Sequence, residues 1–322
     1  MTNEAVTAAA RQRRGAVQLI AAMGLSGTLG VFVLESGASS FNVVFFRCLF
    51  GALALAAYCL FRGYLKNTRL TRGTLALAAL GGVFIVFNWV LLFDAYSRTS
   101  ISVATVVYHT QPFYVVLLGA LLFKERLDRY RAGWIAAAFA GVVLVADLPG
   151  ADLGGSEGYL LGVGEALVAA LFYAFATVIA KRLTTLRPEV TALVQVLVGI
   201  PLLLPFTRLG DTAGLDARWG WLVGLGVIHT CVMYILLYSS YQKLATDRIA
   251  VLSFVYPAVA ILVDLTVYGH RIDALQALGV VLIAAAALAV NLGRLPLPPG
   301  GRRRTAGEAG PTAPPKAEAV RR

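Results

Sequence analysis

Ile101–Phe123 reads ISVATVVYHTQPFYVVLLGALLF and Ile249–Tyr268 reads IAVLSFVYPAVAILVDLTVY. Each is an unbroken apolar run of the length, about 20 residues, that carries a helix across the roughly 30 Å of a bilayer's hydrocarbon. Each also holds a proline deep inside, where the missing N–H costs the helix a backbone bond. A displacement of 145 residues superposes Pro112 on Pro257 and, around them, Phe93 on Tyr238, Tyr96 on Tyr241, Arg98 on Lys243, Arg126 on Arg271, Leu127 on Ile272 and Asp128 on Asp273. The chain therefore repeats itself, with a helix breaker at the same place in each half. That pattern belongs to membrane proteins that bind a solute between their halves.

The rest of the chain has the same character. Of 322 residues, 58% are hydrophobic and 14% charged, against roughly 25% charged in a soluble domain. Ten apolar runs are expected to span: Ala16–Leu34, Phe41–Phe61, Thr74–Ser97, Ile101–Phe123, Ala132–Ala146, Tyr159–Ala180, Val190–Phe206, Trp219–Tyr241, Ile249–Tyr268 and Ala274–Leu292. Their length excludes the strands of an outer-membrane barrel, which need only about 10 alternating residues. The expected fold is an all-α membrane protein of ten transmembrane helices. A cytoplasmic segment, 1–14, precedes a first five-helix repeat, 15–148; an acidic, Gly-rich external linker, 149–157, leads to a second repeat, 158–293; and 294–322 reads as a disordered tail. Five is odd, so the second repeat enters from the opposite side, and such inverted repeats imply alternating access.

Charge fixes the orientation. With the amino terminus inside, 23 of the 28 lysines and arginines fall in inner segments, four (Arg98, Arg208, Arg218 and Arg271) fall outside, and Arg47 is left within the second helix. A positive-inside bias of this size places both termini in the cytoplasm. The net charge of +11 is thus topological, and no nucleic-acid partner is implied. Cys48, Cys59 and Cys231 lie in apolar runs without metal or disulfide spacing. Small residues at helical spacing, as in Gly133, Ala137 and Gly141 or Gly220 and Gly224, let helices approach closely in lipid.

Ionisable groups inside a bilayer are costly and face a cavity or a partner. Counting along the helices places His109 and His229 near the midplane and Arg47, Asp94, Glu165 and Asp264 nearer the outside. Ser102, Thr105, His109 and Pro112 share one face of the fourth helix; Ser253, Pro257, Ala260 and Asp264 share one face of the ninth, with Tyr256 beside them. Asn88, the Glu165, Phe172 and Tyr173 stripe, and the Trp221 and His229 stripe complete an aromatic cavity with few fixed charges. The expected substrate-binding set is Asn88, His109, Pro112, Tyr173, His229 and Tyr256, and the expected proton-coupling or gating set is His109, Glu165, Asp264, Glu125 and His270. Arg47 reads as a structural ion-pair partner of Glu165 or Asp94, and Tyr108, Tyr114, Tyr234 and Tyr238 read as packing or interface residues.

No phosphate-binding loop with Lys and Ser/Thr is present and no histidine begins HExxH, so neither an ATP-driven pump nor that type of zinc hydrolase is suggested, and no cofactor or metal is implied. An enzyme alternative is an intramembrane serine hydrolase at Gly24-Leu25-Ser26-Gly27, with His109 or His229 activating Ser26.

The run Thr110-Gln111-Pro112-Phe113-Tyr114, then Gly119, Lys124-Glu125-Arg126-Leu127 and Gly133, together with Arg47, resembles the drug/metabolite transporter superfamily in its EamA-type branch, over residues 15–293. The resemblance implies a ten-helix secondary transporter of the bacterial inner membrane, similar to aromatic amino-acid exporters and acting as a monomer or homodimer on a small-molecule substrate. Another small solute, such as a drug-like cation, nucleoside or vitamin, is the alternative. The second half departs from the pattern: Tyr268-Gly269-His270-Arg271 stands where glycine-glutamate-arginine is expected, so Glu125 is answered by His270.

Overall fold

The computed structural model describes residues 3–66, 71–111, 113–114, 117–118, 121, 129–145, 157–183, 186–212, 214–241, 243–244, 252–253 and 255–292. Pro112, Glu125, the linker at 149–156 and the tail at 294–322 lie outside them. The regular elements among the described residues are all helical. They are α1 Asn3–Ser36, α2 Ser40–Phe61, α3 Arg72–Arg98, α4 Ile101–Tyr108, α5 Arg129–Val145, α6 Glu157–Arg182, α7 Pro188–Leu203, α8 Trp219–Gly226, α9 Met233–Tyr241, α10 Val255–Val263 and α11 Ala274–Leu292. Two π-helical turns, Val227–Val232 and Asp264–Tyr268, join α8 to α9 and prolong α10.

Helix starts follow local chemistry. Ser39, Thr71 and Ser100 cap α2, α3 and α4 by accepting from backbone N–H groups, and Pro188 opens α7 where its missing N–H has no partner to lose. Among the described residues, six helical segments are long and apolar enough to cross a membrane, Ala9–Ser36, Ser40–Phe61, Arg72–Arg98, Gly158–Ala180, Pro188–Phe206 and Asp216–Leu237, and three shorter ones are apolar. The first begins earlier than expected: α1 includes Arg11, Arg13 and Arg14.

In each half the helix is interrupted ahead of the repeated proline's position in the chain. α4 ends at Tyr108, and the N–H groups of His109 and Thr110 reach back to Thr105, Val106 and Val107 in a tightened final turn. The helix thus stops before Pro112. In the other half α10 begins at Val255, so Pro257 sits in a first turn, where a helix tolerates it. Both halves are broken a few residues ahead of the repeated proline.

The most extensive helix contacts among the described residues are preserved when the halves are exchanged. α3 packs on α6 as α8 packs on α1; α1 packs on α10 as α6 packs on α4; α3 packs on α7 as α2 packs on α8; and α2 with α7, α4 with α10 and α5 with α11 pair across the exchange. The α5–α11 crossing is close. A Cβ on Gly279 would stand 2.6 Å from the Gly141 carbonyl oxygen and 2.8 Å from Val145 Cγ2. Of the expected packing glycines, Gly141 is therefore at a crossing and Gly224 lies under Phe32, whereas a Cβ on Gly133 or Gly220 would meet nothing within 4 Å.

Gly279→Ala is expected to destabilise the protein by about 1–3 kcal/mol, because the obstacle is backbone that cannot rotate away. Gly133→Ala, in open space on a helix, is expected to be neutral or stabilising by up to about 1 kcal/mol. Thermal unfolding of the two variants in the same detergent checks the contrast.

Candidate functional site

A cavity of about 210 Å³ lies between the halves. Four pairs of its lining residues are separated by 145 positions: Trp89 and Tyr234, Leu92 and Leu237, Tyr108 and Ser253, and Gln111 and Tyr256. The repeat thus supplies matched positions from α3 and the break after α4, and from α9 and the break before α10. Met23, Ser26 and Leu29 of α1, Arg47 of α2, Tyr173 and Thr177 of α6 and Gln195 of α7 complete the wall. Among the described residues, none of α5 or α11 is in it. The lining continues to Ala180, in the last turn of α6, and Leu237, near the end of α9. It therefore extends toward the end of the bundle that charge assigns to the cytoplasm.

The opposite, expected outer, end is closed by polar links. Asp94 accepts from Ser40 (3.0 Å) and from Arg98 Nε (2.6 Å), and the same Arg98 nitrogen lies 3.2 Å from Glu165, tying α2, α3 and α6 together. Asp264, fully buried, accepts from the Ser102 backbone N–H (2.9 Å) and lies 2.9 Å from His270 Nδ1. Tyr268 donates to Glu35 at 3.0 Å. A separate cavity of about 220 Å³, lined by Ser102, Asp264, His270 and Arg271, sits at this end.

The expected site residues divide accordingly. His109, Tyr173 and Tyr256 line the main cavity; His109 interacts with the backbone of Thr105 and Ser253, and its ring centroid is 5.2 Å from that of Tyr256, whose hydroxyl is 3.2 Å from that of Tyr96. Asn88 stands behind the wall, donating to the Ala169 carbonyl (2.6 Å) and to the Tyr108 hydroxyl (3.2 Å), and so aims Tyr108. His229 belongs elsewhere: it faces α1, 3.1 Å from Thr28 Oγ1 and with its ring 4.4 Å from that of Phe32, on which Trp221 also packs. Glu165, Asp264 and His270 are at the expected outer end rather than around the cavity. Pro112 and Glu125 lie outside the described residues.

Arg47 departs furthest from expectation. Glu165 and Asp94 are taken by Arg98, which is one helical turn from Asp94. Arg47, 1% exposed, instead donates from Nε to Thr230 Oγ1 (3.0 Å) and from Nη2 to the His229 carbonyl (3.2 Å) inside the first π turn, and its guanidinium lies 3.9 Å over the Trp89 ring. Tyr108 and Tyr234, expected to pack, are cavity walls, as are Trp89, Gln111 and Gln195. The 145-residue displacement, applied to every polar or aromatic position, is the signal that finds Trp89, Tyr108, Gln111 and Tyr234. Ser26 donates to the Ala22 carbonyl (3.0 Å) and to Met233 Sδ (3.1 Å) rather than to an imidazole.

A family model described as the EamA-like transporter family matches residues 13–146 and again 160–292. The chain is 35% identical over 272 residues, 84% of its length and 86% of the relative's, to "Uncharacterized transporter YxxF" of Bacillus subtilis (strain 168). It is 30% identical over 195 residues, 56% of its length and 64% of the relative's, to "Probable amino-acid metabolite efflux pump" of Escherichia coli (strain K12). A solved crystal structure matches with a TM-score of 0.58 at 22% identity, over 86% of this chain and 95% of that one, a likeness of fold.

Cys48, Cys59 and Cys231 are buried, so the unmodified protein is expected to react slowly with a small membrane-permeant maleimide. Gln111→Cys and Ser253→Cys are expected to label readily, and mass spectrometry of the intact protein reads the added adduct.

Proposed function

The chain belongs to the EamA-like transporter family, and from that premise we propose that it is a secondary transporter that exports amino acids, aromatic ones included, across the bacterial cytoplasmic membrane by alternating access. In this reading the chain crosses the membrane ten times as two inverted five-helix repeats, with both termini in the cytoplasm. It binds a small-molecule substrate, sits in lipid, and works as a monomer or homodimer. The observation that carries the reading is the cavity between the halves, walled by four pairs of repeat-related residues, two of them at the broken helices. A site on such an axis can be presented to either side when the halves exchange conformations.

The cavity's extent toward the cytoplasmic end and the polar links at the other support an inward-facing state. The Asp264 pair with His270 and the Ser102 N–H, and the Arg98 links to Asp94 and Glu165, act as the outer closure. His109 is the central polar contact to substrate or proton, with Tyr173 and Tyr256 as aromatic walls. Glu125 is assigned the cytoplasmic closure that answers His270, and Pro112 the wall beside Gln111. The name of the Escherichia coli relative supports amino-acid metabolites as the class.

In proteoliposomes, labelled aromatic amino acid is expected to exchange against the same amino acid inside with saturable kinetics, and His109→Ala to reduce exchange at least about tenfold with folding intact. Exchange of another solute class with none of any amino acid overturns the substrate assignment. Alternating access has its own check. A Cβ on Gly30 of α1 would lie 2.7–2.8 Å from three side-chain carbons of Ile101, the first residue of α4, close enough for Gly30→Cys and Ile101→Cys to form a disulfide. Oxidation of that pair is expected to stop exchange and reduction to restore it; undiminished exchange in the oxidised protein overturns the mechanism.

A further inference from the structure

The cavity wall carries a charge with no opposite. Among its described lining residues there is no Asp, Glu or Lys, and Arg47 is the one fixed charge. Glu165 and Asp94 are held by Arg98, and Asp264 is 2.9 Å from His270. A guanidinium 1% exposed and without a carboxylate is costly in a low-dielectric interior, yet its geometry is tightly set. Thr230 and the His229 carbonyl take Nε and Nη2, and the Trp89 ring covers one face. The remaining nitrogen, Nη1, is buried with no hydrogen-bond partner. An oriented cationic donor without a partner among the described residues, on a side chain that lines the cavity, is a recognition element for an anion.

We propose that Arg47 Nη1 is the anchor for a carboxylate of the transported molecule, whose apolar body stacks among Trp89, Tyr108, Tyr173, Tyr234 and Tyr256; this rests on reading the cavity as the substrate site. Two features refine the class. With Nε and Nη2 bonded and one face covered by Trp89, Nη1 is the one nitrogen without a partner, which suits a monocarboxylate and leaves a phosphate's further oxygens and charge unanswered. A substrate ammonium finds no acidic partner among the described lining residues, only side chains such as Gln111, Gln195 and the aromatic rings. The site therefore requires the acid and not the amine, and deaminated aromatic or branched acids are ligands as good as amino acids. At about 210 Å³ the cavity is below the roughly 300 Å³ at which pockets begin to hold drug-sized molecules.

Four compounds on one skeleton test this by calorimetric titration of the purified full-length protein in detergent: L-phenylalanine, 3-phenylpropionate, phenylalanine methyl ester and 2-phenylethylamine. Both carboxylates are expected to bind, with 3-phenylpropionate at least as tight as phenylalanine, and the ester and amine about tenfold weaker or worse, the loss of one charge-assisted hydrogen bond. Arg47→Met is expected to erase the difference between acid and amine. Arg47→Lys, which keeps the charge without the stacked plane, is expected to weaken carboxylate binding while preserving the preference. If Arg47→Met does not fold, the unmodified protein and Arg47→Lys decide. Binding of the amine or ester as tight as the acids, absence of binding by both acids, or acid preference in folded Arg47→Met overturns the anchor. Carboxylate binding without counterflow of any amino acid retires amino-acid export and leaves the anchor standing.

Discussion

Hydrocarbon offers no partner to a freed backbone group, so a helix inside a membrane can be interrupted only where protein or an aqueous cavity takes over its hydrogen bonds. Much of this molecule follows from that constraint. α4 stops at Tyr108, and the N–H groups of His109 and Thr110 are held by carbonyls of its last turn; before α10, the Tyr256 N–H reaches the Ser253 carbonyl. Both interruptions lie against the cavity, and the residues on either side of them, Tyr108, His109 and Gln111 in one half and Ser253 and Tyr256 in the other, are its walls. The polar backbone that the breaks expose and the polar side chains that the sequence places there need the same environment, and the cavity provides it for both.

Around this centre the helices divide the labour. α5 and α11 press glycine to glycine and, among the described residues, contribute nothing to the cavity. α3, α4 and α6 pack together on one side of it, and α1, α8, α9 and α10 on the other. At the expected outer end those two groups meet through a polar contact, Ser102 with Asp264, and a small-against-large one, Gly30 with Ile101. Such contacts can part without exposing a broad apolar surface, which a tightly interdigitated interface cannot do.

Apolar run length made most of the helices legible, since a span's length and composition suffice to identify it; the duplicated proline segment located the breaks to within a few residues. What the sequence concealed was rotational and combinatorial. A helical wheel assumes 3.6 residues per turn, and the π turn at Val227–Val232 alters the phase. The Trp221 and His229 stripe therefore faces Phe32, while Met233, Tyr234 and Leu237, beyond the turn, face the cavity. Charge pairing was similarly underdetermined. Depth along a helix placed Arg47, Asp94 and Glu165 at comparable levels, but Arg98, on the same helix as Asp94 and four residues on, reaches both carboxylates. Tyr108 and Tyr234 were hidden for a different reason: a membrane tyrosine has the same composition signature whether it meets lipid, another helix or a ligand.

The exchange symmetry of the helix contacts is that of an isologous interface, in which a surface of one copy meets the same surface of another. In a dimer of identical five-helix chains, both sides of the cavity would have to present the same groups, and a two-fold site has no single best orientation for a chiral molecule. Joining the copies in one chain removes that restriction. Trp89 is matched by a tyrosine at 234, Tyr108 by a serine at 253 and Gln111 by a tyrosine at 256, so the scaffold keeps its symmetry while the site has lost it. A substrate can then take one orientation in a cavity whose two-fold helix scaffold, by itself, would favour two equally.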